Sequence, residues 1–170
     1  MATYTLNGKR VLTVDDEPDI LDILNEEISE TYPECTIDKA TSFLEASKLL
    51  ATRPYDLVIL DIMGVNGFDL LKRSASRDIP TVMLTAHSLT PESLKQSFEM
   101  GARAYIPKNK LGEIVPFLEE VLQYENLPGW SHLYENLRDY FNAKWGQYWQ
   151  KVEERFGKNS RRRLTATNNP

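Results

Sequence analysis

Cysteine is almost absent from this chain. The single Cys35 among 170 residues excludes an internal disulfide framework and a cysteine-built zinc site, and fits a reducing compartment. Long apolar runs are missing too. No stretch approaches the ~20 residues of a membrane span, and the opening MATYTLNGKR has no apolar signal-peptide core. A soluble, cytoplasmic protein without membrane contact is therefore expected. No internal repeat or low-complexity segment is evident. Positive charge is scarce up to Glu125: residues 1–125 hold 12 Lys/Arg against 21 Asp/Glu, whereas 126–170 hold 8 against 4. An acidic body does not suggest nucleic acid as a direct partner, which leaves only the basic end KNSRRRLT to touch it.

What is present is an alternation. Five apolar runs, RVLTV, CTIDKA, DLVIL, PTVML and ARAYI, are separated by helical patterns, the order of an α/β doubly wound parallel sheet with helices on both faces. DLVIL and TVML are short and continuously apolar, as strands covered on both faces should be. Helix starts can be read as well. Pro18 suits a first turn, Ser42 with Glu45 forms a capping box, and Thr90 before Pro91 is an N-cap with proline at the first position. A fifth helix is expected from about Gly112 to Tyr124, with Pro116 tolerable only in its first turn.

Beyond ENLPG the composition changes. All three tryptophans lie there, and Trp130, Leu137, Phe141, Trp145 and Trp149 recur at near-helical steps. The expected division is a body over 1–125, an amphipathic, aromatic-rich helical extension over 126–156, and a basic, disordered tail over 157–170. Gly146 would mark a break in the extension.

In a parallel α/β sheet, ligands bind beyond the carboxyl ends of the strands. The residues expected there are Asp15 and Asp16 after the first strand, Asp61 at the third, Thr85 at the fourth and Lys108 after the fifth. Clustered carboxylates repel and lose hydration at a core edge, so something must compensate them. Hard oxygen donors suit Mg²⁺ or Mn²⁺. A carboxylate can also attack phosphorus to form an aspartyl-phosphate, with metal and lysine neutralising the moving charge.

These residues carry a resemblance. The acidic pair DD, the run LVILDIMGVNG, then MLTA and GARAYIPK, over about residues 9–125, resemble the receiver domain of two-component response regulators. The resemblance implies a flavodoxin-like fold and a non-enzymatic protein that takes a phosphoryl group from a sensor histidine kinase or phosphotransfer protein. It implies Asp61 as phosphoacceptor and a metal held by Asp15, Asp16, Asp61 and the Met63 carbonyl. Lys108 and Thr85 would contact the phosphoryl group, and Thr85 and Tyr105 would form the switch. Met63 and His87 would tune the lifetime of the phosphate. Two departures stand out: the loop after Asp61 carries Gly64 where many members have a proline, which would leave it more mobile, and Asn109 follows Lys108 where a cis-proline is usual.

The aromatic stripe would serve self-association or an output protein. Two alternatives remain open at this stage. One is a transcription-related regulator whose tail touches DNA through Arg161, Arg162 and Arg163. The other is a small Mg²⁺-dependent phosphatase with Asp15 as nucleophile.

Overall fold

The computed structural model describes residues 5–86 and 90–123, together with 142, 143 and 146. Strands β1 (Arg10–Val14), β2 (Thr36–Ala40), β3 (Leu57–Asp61), β4 (Thr81–Thr85) and β5 (Ala104–Pro107) alternate with helices α1 (Pro18–Thr31), α2 (Phe43–Thr52), α3 (Gly67–Ala75), α4 (Pro91–Glu99) and α5 (Ile114–Gln123). All pairings are parallel and the spatial order is β2-β1-β3-β4-β5. Parallel crossovers are right-handed. The step from β1 to β2 runs opposite to the step from β2 to β3, so α1 and α2 fall on opposite faces. α1 packs with α5 on one side, and α2 with α3 on the other.

Sequence pattern explains which strand lies where. Every residue of LVILD and TVMLT is buried, as central strands require. β2 and β5 take the edges, and only an edge tolerates Pro107, which has no N–H for a further neighbour. The exposed edge strand β2 is fastened by Asp38, whose carboxylate accepts from Arg10 at 3.1 Å and from the Tyr55 hydroxyl at 2.8 Å and pairs with Arg53 at 3.0 Å. Burial works against that charge, yet the donors from Tyr55, Arg53 and Arg10 hold the Asp38 carboxyl below the usual carboxylate range.

The helix starts agree with their signals. Pro18 opens α1, which buries Leu21, Leu24 and Ile28 at three- and four-residue steps. Ser42 accepts from the Glu45 amide at 3.2 Å, and the Glu45 carboxylate reaches back one residue further than a standard box, to the Thr41 amide. Thr90 caps α4 through the Ser93 amide at 3.3 Å.

α5 differs from expectation. Lys108–Glu113 forms a 3₁₀ helix and the α-helix begins only at Ile114. Pro116 is then the third residue of α5, where its missing N–H has no intrahelical acceptor to lose. Gly146 adopts φ 52°, and its amide donates to the Asn142 carbonyl at 2.9 Å. Among the described residues no helix is long and apolar enough to cross a membrane.

Candidate functional site

The strand order reverses between β1 and β3, and a crevice opens there beyond their carboxyl ends. Register decides what lines it. Val14 pairs with Leu60, so the next residue on each strand, Asp15 and Asp61, stand side by side on the same face of the pleat. Asp15 is 0 % and Asp61 3 % exposed, while Asp16 turns to the surface. One carboxylate oxygen from each of Asp15, Asp16 and Asp61 lies within 4.8 Å of the others. Such a set of hard oxygens, two of them buried, fits a divalent cation of the Mg²⁺ class.

Lys108 enters from the far edge. β5 ends at Pro107, opposite Thr85, and the 3₁₀ helix that follows delivers Lys108 across the crevice. Its ammonium lies 2.7 Å from Asp15 Oδ2, 2.9 Å from Glu17 Oε1 and 3.5 Å from Asp61 Oδ1. The bond after Lys108 is trans, as are all peptide bonds of the described residues. The lysine therefore reaches its partners without a cis bond at Asn109.

The charges perturb one another. Burial is the largest influence on Asp61; with the nearby Asp15 and Asp16 charges it outweighs Lys108 and pushes the carboxyl up to about 7. Burial also raises Asp15, despite the Lys108 ammonium close by and the hydrogen bond from the Glu17 amide. Lys108 is raised as well, since burial, which would lower it, is outweighed by bonding to Asp15 and Glu17. A site so strained by like charge gains from any added cation.

Two glycines build the wall. The loop from β3 to α3 folds back through Val65 N–H to the Met63 carbonyl and Gly67 N–H to the Ile62 carbonyl. Gly64 has φ 70°, and a Cβ there would lie 2.3 Å from an Asp16 carboxylate oxygen. Its role is thus close approach to the Asp16 carboxylate, whatever freedom it gives the loop. Gly64→Ala should cost about 1–2 kcal/mol for the left-handed backbone and displace the exposed Asp16. A lower melting temperature together with weaker Mg²⁺ binding in a calorimetric titration is the expected result.

Other expected residues are placed as follows. Thr85 is buried at the end of β4, with its hydroxyl donating to the Ala86 carbonyl at 2.9 Å rather than to a carboxylate. Tyr105 is buried and pairs with Met83, two residues before Thr85 on the same face. Met63 is 65 % exposed. Its carbonyl accepts from the Val65 amide at 2.6 Å, so a metal would have to use the second lone pair of that oxygen. His87 and the tail residues Trp130, Leu137, Phe141, Trp145 and Trp149 lie outside the described residues.

Sequence reasoning passes over Gly67 and does not foresee the contact of Glu17 with Lys108. Gly67 shows only as one glycine in a turn-rich segment. Glu17 does carry a signal, as the third acid after β1.

Asp15, which the phosphatase reading makes the nucleophile, is a poor candidate. It is fully buried, with Oδ1 accepting the Glu17 amide at 2.9 Å and Oδ2 against Lys108.

Comparison with known proteins agrees with this geometry. Residues 11–118 match the model of the response regulator receiver domain. The chain is 36% identical over 103 residues to the transcriptional regulatory protein CusR of Escherichia coli, a match covering 58% of this chain and 44% of CusR. It is 33% identical over 123 residues to the phosphate regulon transcriptional regulatory protein PhoB of Pseudomonas aeruginosa, covering 68% of this chain and 52% of PhoB. It thus spans about half the length of these relatives. Among solved structures, the receiver domain of NtrX from Brucella abortus superposes with a TM-score of 0.59 at 28% identity, over 66% of this chain and 98% of that one.

Proposed function

Because the chain belongs to the response regulator receiver domain family, we propose that it accepts a phosphoryl group on Asp61 from a sensor histidine kinase or phosphotransfer protein, in a cytoplasmic setting. The observation that carries this reading is the meeting of Asp15, Asp16, Asp61 and Lys108 at one edge of the sheet. Of the two buried carboxylates Asp61 is the suited acceptor, since its contact with Lys108 is the loose one at 3.5 Å, whereas Asp15 has one oxygen on the Glu17 amide and the other against Lys108.

In the transfer, an Asp61 carboxylate oxygen forms a bond to phosphorus as the P–N bond of the donor phosphohistidine breaks, and the electron pair returns to the imidazole nitrogen. Asp15, Asp16, Asp61 and the Met63 carbonyl would hold Mg²⁺ or Mn²⁺, which when bound offsets the charge of the phosphoryl oxygens. Lys108 supplies a second positive charge to the same oxygens. Thr85 has to exchange the Ala86 carbonyl for a phosphoryl oxygen. The space beside it then changes for Tyr105, and with it the surface of α4, β5 and α5. A group that contacts the two packings unequally shifts their populations.

The body over 1–125 would be the receiver, and the aromatic extension over 126–156 the part that reads its state, by self-association or by binding an output protein. The basic segment over 157–170 is not expected to bind DNA on its own. The curated relatives named above are transcriptional regulators, but the matched family region is the receiver.

Incubation with a radiolabelled small phosphodonor and Mg²⁺ should label the protein, with the label on Asp61. Asp61→Asn and chelation should each abolish it. Label recovered on Asp15, or labelling indifferent to chelator, would overturn the reading.

A further inference from the structure

Three carboxylates surround the Lys108 ammonium, which donates a hydrogen bond to Glu17 Oε1. Asp15 at 2.7 Å and Glu17 at 2.9 Å hold it closely, while Asp61 is 3.5 Å away. The lysine is thus drawn toward the start of α1 and away from the proposed acceptor. To grip a phosphoryl group on Asp61 the ammonium has to move across toward it and away from its near partners.

The two near partners are not equivalent. Asp15 is fully buried and pinned by the Glu17 amide, so uncovering its charge without the lysine is costly. The Glu17 side chain is 63 % exposed, and water replaces a lost partner there at little cost. Glu17 also plays two separable parts: its backbone amide steadies Asp15, whereas its carboxylate takes hold of Lys108.

We propose that Glu17 is a positioning residue for phosphotransfer, its carboxylate parking the Lys108 ammonium away from Asp61 until a phosphoryl group draws it across. This rests on Asp61 being the phosphoacceptor. The carboxylate acts as a counter-ion that the incoming group must displace, so it slows loading of the site. Glutamine at this position keeps the amide to Asp15 and the length of the side chain and removes only the charge.

The test compares wild type with Glu17→Gln, with acetyl phosphate as donor in Mg²⁺. The phosphoryl group passes to an Asp61 oxygen and acetate leaves with the electron pair of the broken P–O bond. Labelling is followed by intact mass against donor concentration. The variant is expected to gain about 1.5- to fivefold in rate per donor concentration, the range of an exposed ion pair. The gain should shrink toward unity in 1 M salt, where screening acts within about 3 Å, and should vanish in a Lys108→Met background.

Labelling of Asp61 at the same rate in both proteins would overturn the role of Glu17 while leaving the acceptor standing. So would a gain that survives 1 M salt or the loss of Lys108; if Lys108→Met labels too slowly to rate, the salt series decides. A wild-type protein that takes no label on Asp61 would overturn the proposed function and this inference together.

Discussion

Gly67→Ala is expected to lower the melting temperature by roughly 5–15 °C. A Cβ at position 67 would lie 2.1 Å from the Asp61 carbonyl oxygen and 2.9 Å from the Ile62 Cα. Both are backbone atoms, so no side chain can turn aside to relieve the clash. α3 starts at Gly67 and is anchored by Leu70, Leu71 and Ser74, all buried, so the helix cannot retreat without opening the core. Overpacking of this kind costs ~1–3 kcal/mol and at times more, which for a domain of this size is roughly 3–6 °C per kcal/mol. The strain falls on the peptide that carries Asp61, so Mg²⁺ binding should weaken as well. Thermal unfolding by circular dichroism, with and without Mg²⁺, checks both. A variant as stable as wild type would show that the approach of α3 to the end of β3 is not as described.

The metal-free protein should lose stability as pH rises toward 8, and Asp61→Asn should remove the part of that loss that comes from Asp61. The sign follows from linkage. Burial among Asp15 and Asp16 raises the Asp61 carboxyl to about 7 in the folded protein, above its value in an unfolded chain. The folded state therefore binds that proton more tightly than the unfolded state. The stabilisation is complete below the ordinary carboxylate range and is lost as pH rises through about 7.

Between pH 5.5 and 8 the loss amounts to about 2 kcal/mol, at ~1.4 kcal/mol per pKa unit. The amide of Asp61→Asn carries no charge at either pH. In chelator, the variant should melt roughly 10 °C above wild type at pH 8 and show the smaller difference at pH 5.5. Saturating Mg²⁺ should stabilise wild type at pH 8 and affect the variant much less, because a ligand stabilises the state that binds it. Equal slopes of melting temperature against pH in the two proteins would contradict the mutual repulsion of these carboxylates.

Much of the fold and part of the site can be read in the chain. The runs DLVIL and TVML are apolar at every position because both faces of a central strand are covered. Thr90 and Ser42 announce helices because short polar side chains satisfy the first free amides. Gly112 and Pro116 blur the start of α5, where neither periodicity nor propensity distinguishes a 3₁₀ segment from the α-helix that follows. The need for Gly64 and Gly67 is hidden for a different reason. Gly67 is demanded by the Asp61 carbonyl behind it, and Gly64 by the Asp16 carboxylate as well as by its own φ of 70°. A glycine in a turn looks the same whether it serves the turn or a neighbour.

The sequence by itself determined the doubly wound class and the chemical types that meet at the sheet edge, because strand ends and their residues follow from local periodicity and the edge is set by topology. Which carboxylate the lysine holds was decided only by tertiary structure. The contacts of Lys108 with Asp15, Glu17 and Asp61 join residues dozens of positions apart, and tenths of an ångström between them depend on how β1, β3 and the segment after β5 pack together. Pattern fixes which groups arrive in the crevice; packing fixes the distances that divide charge among them.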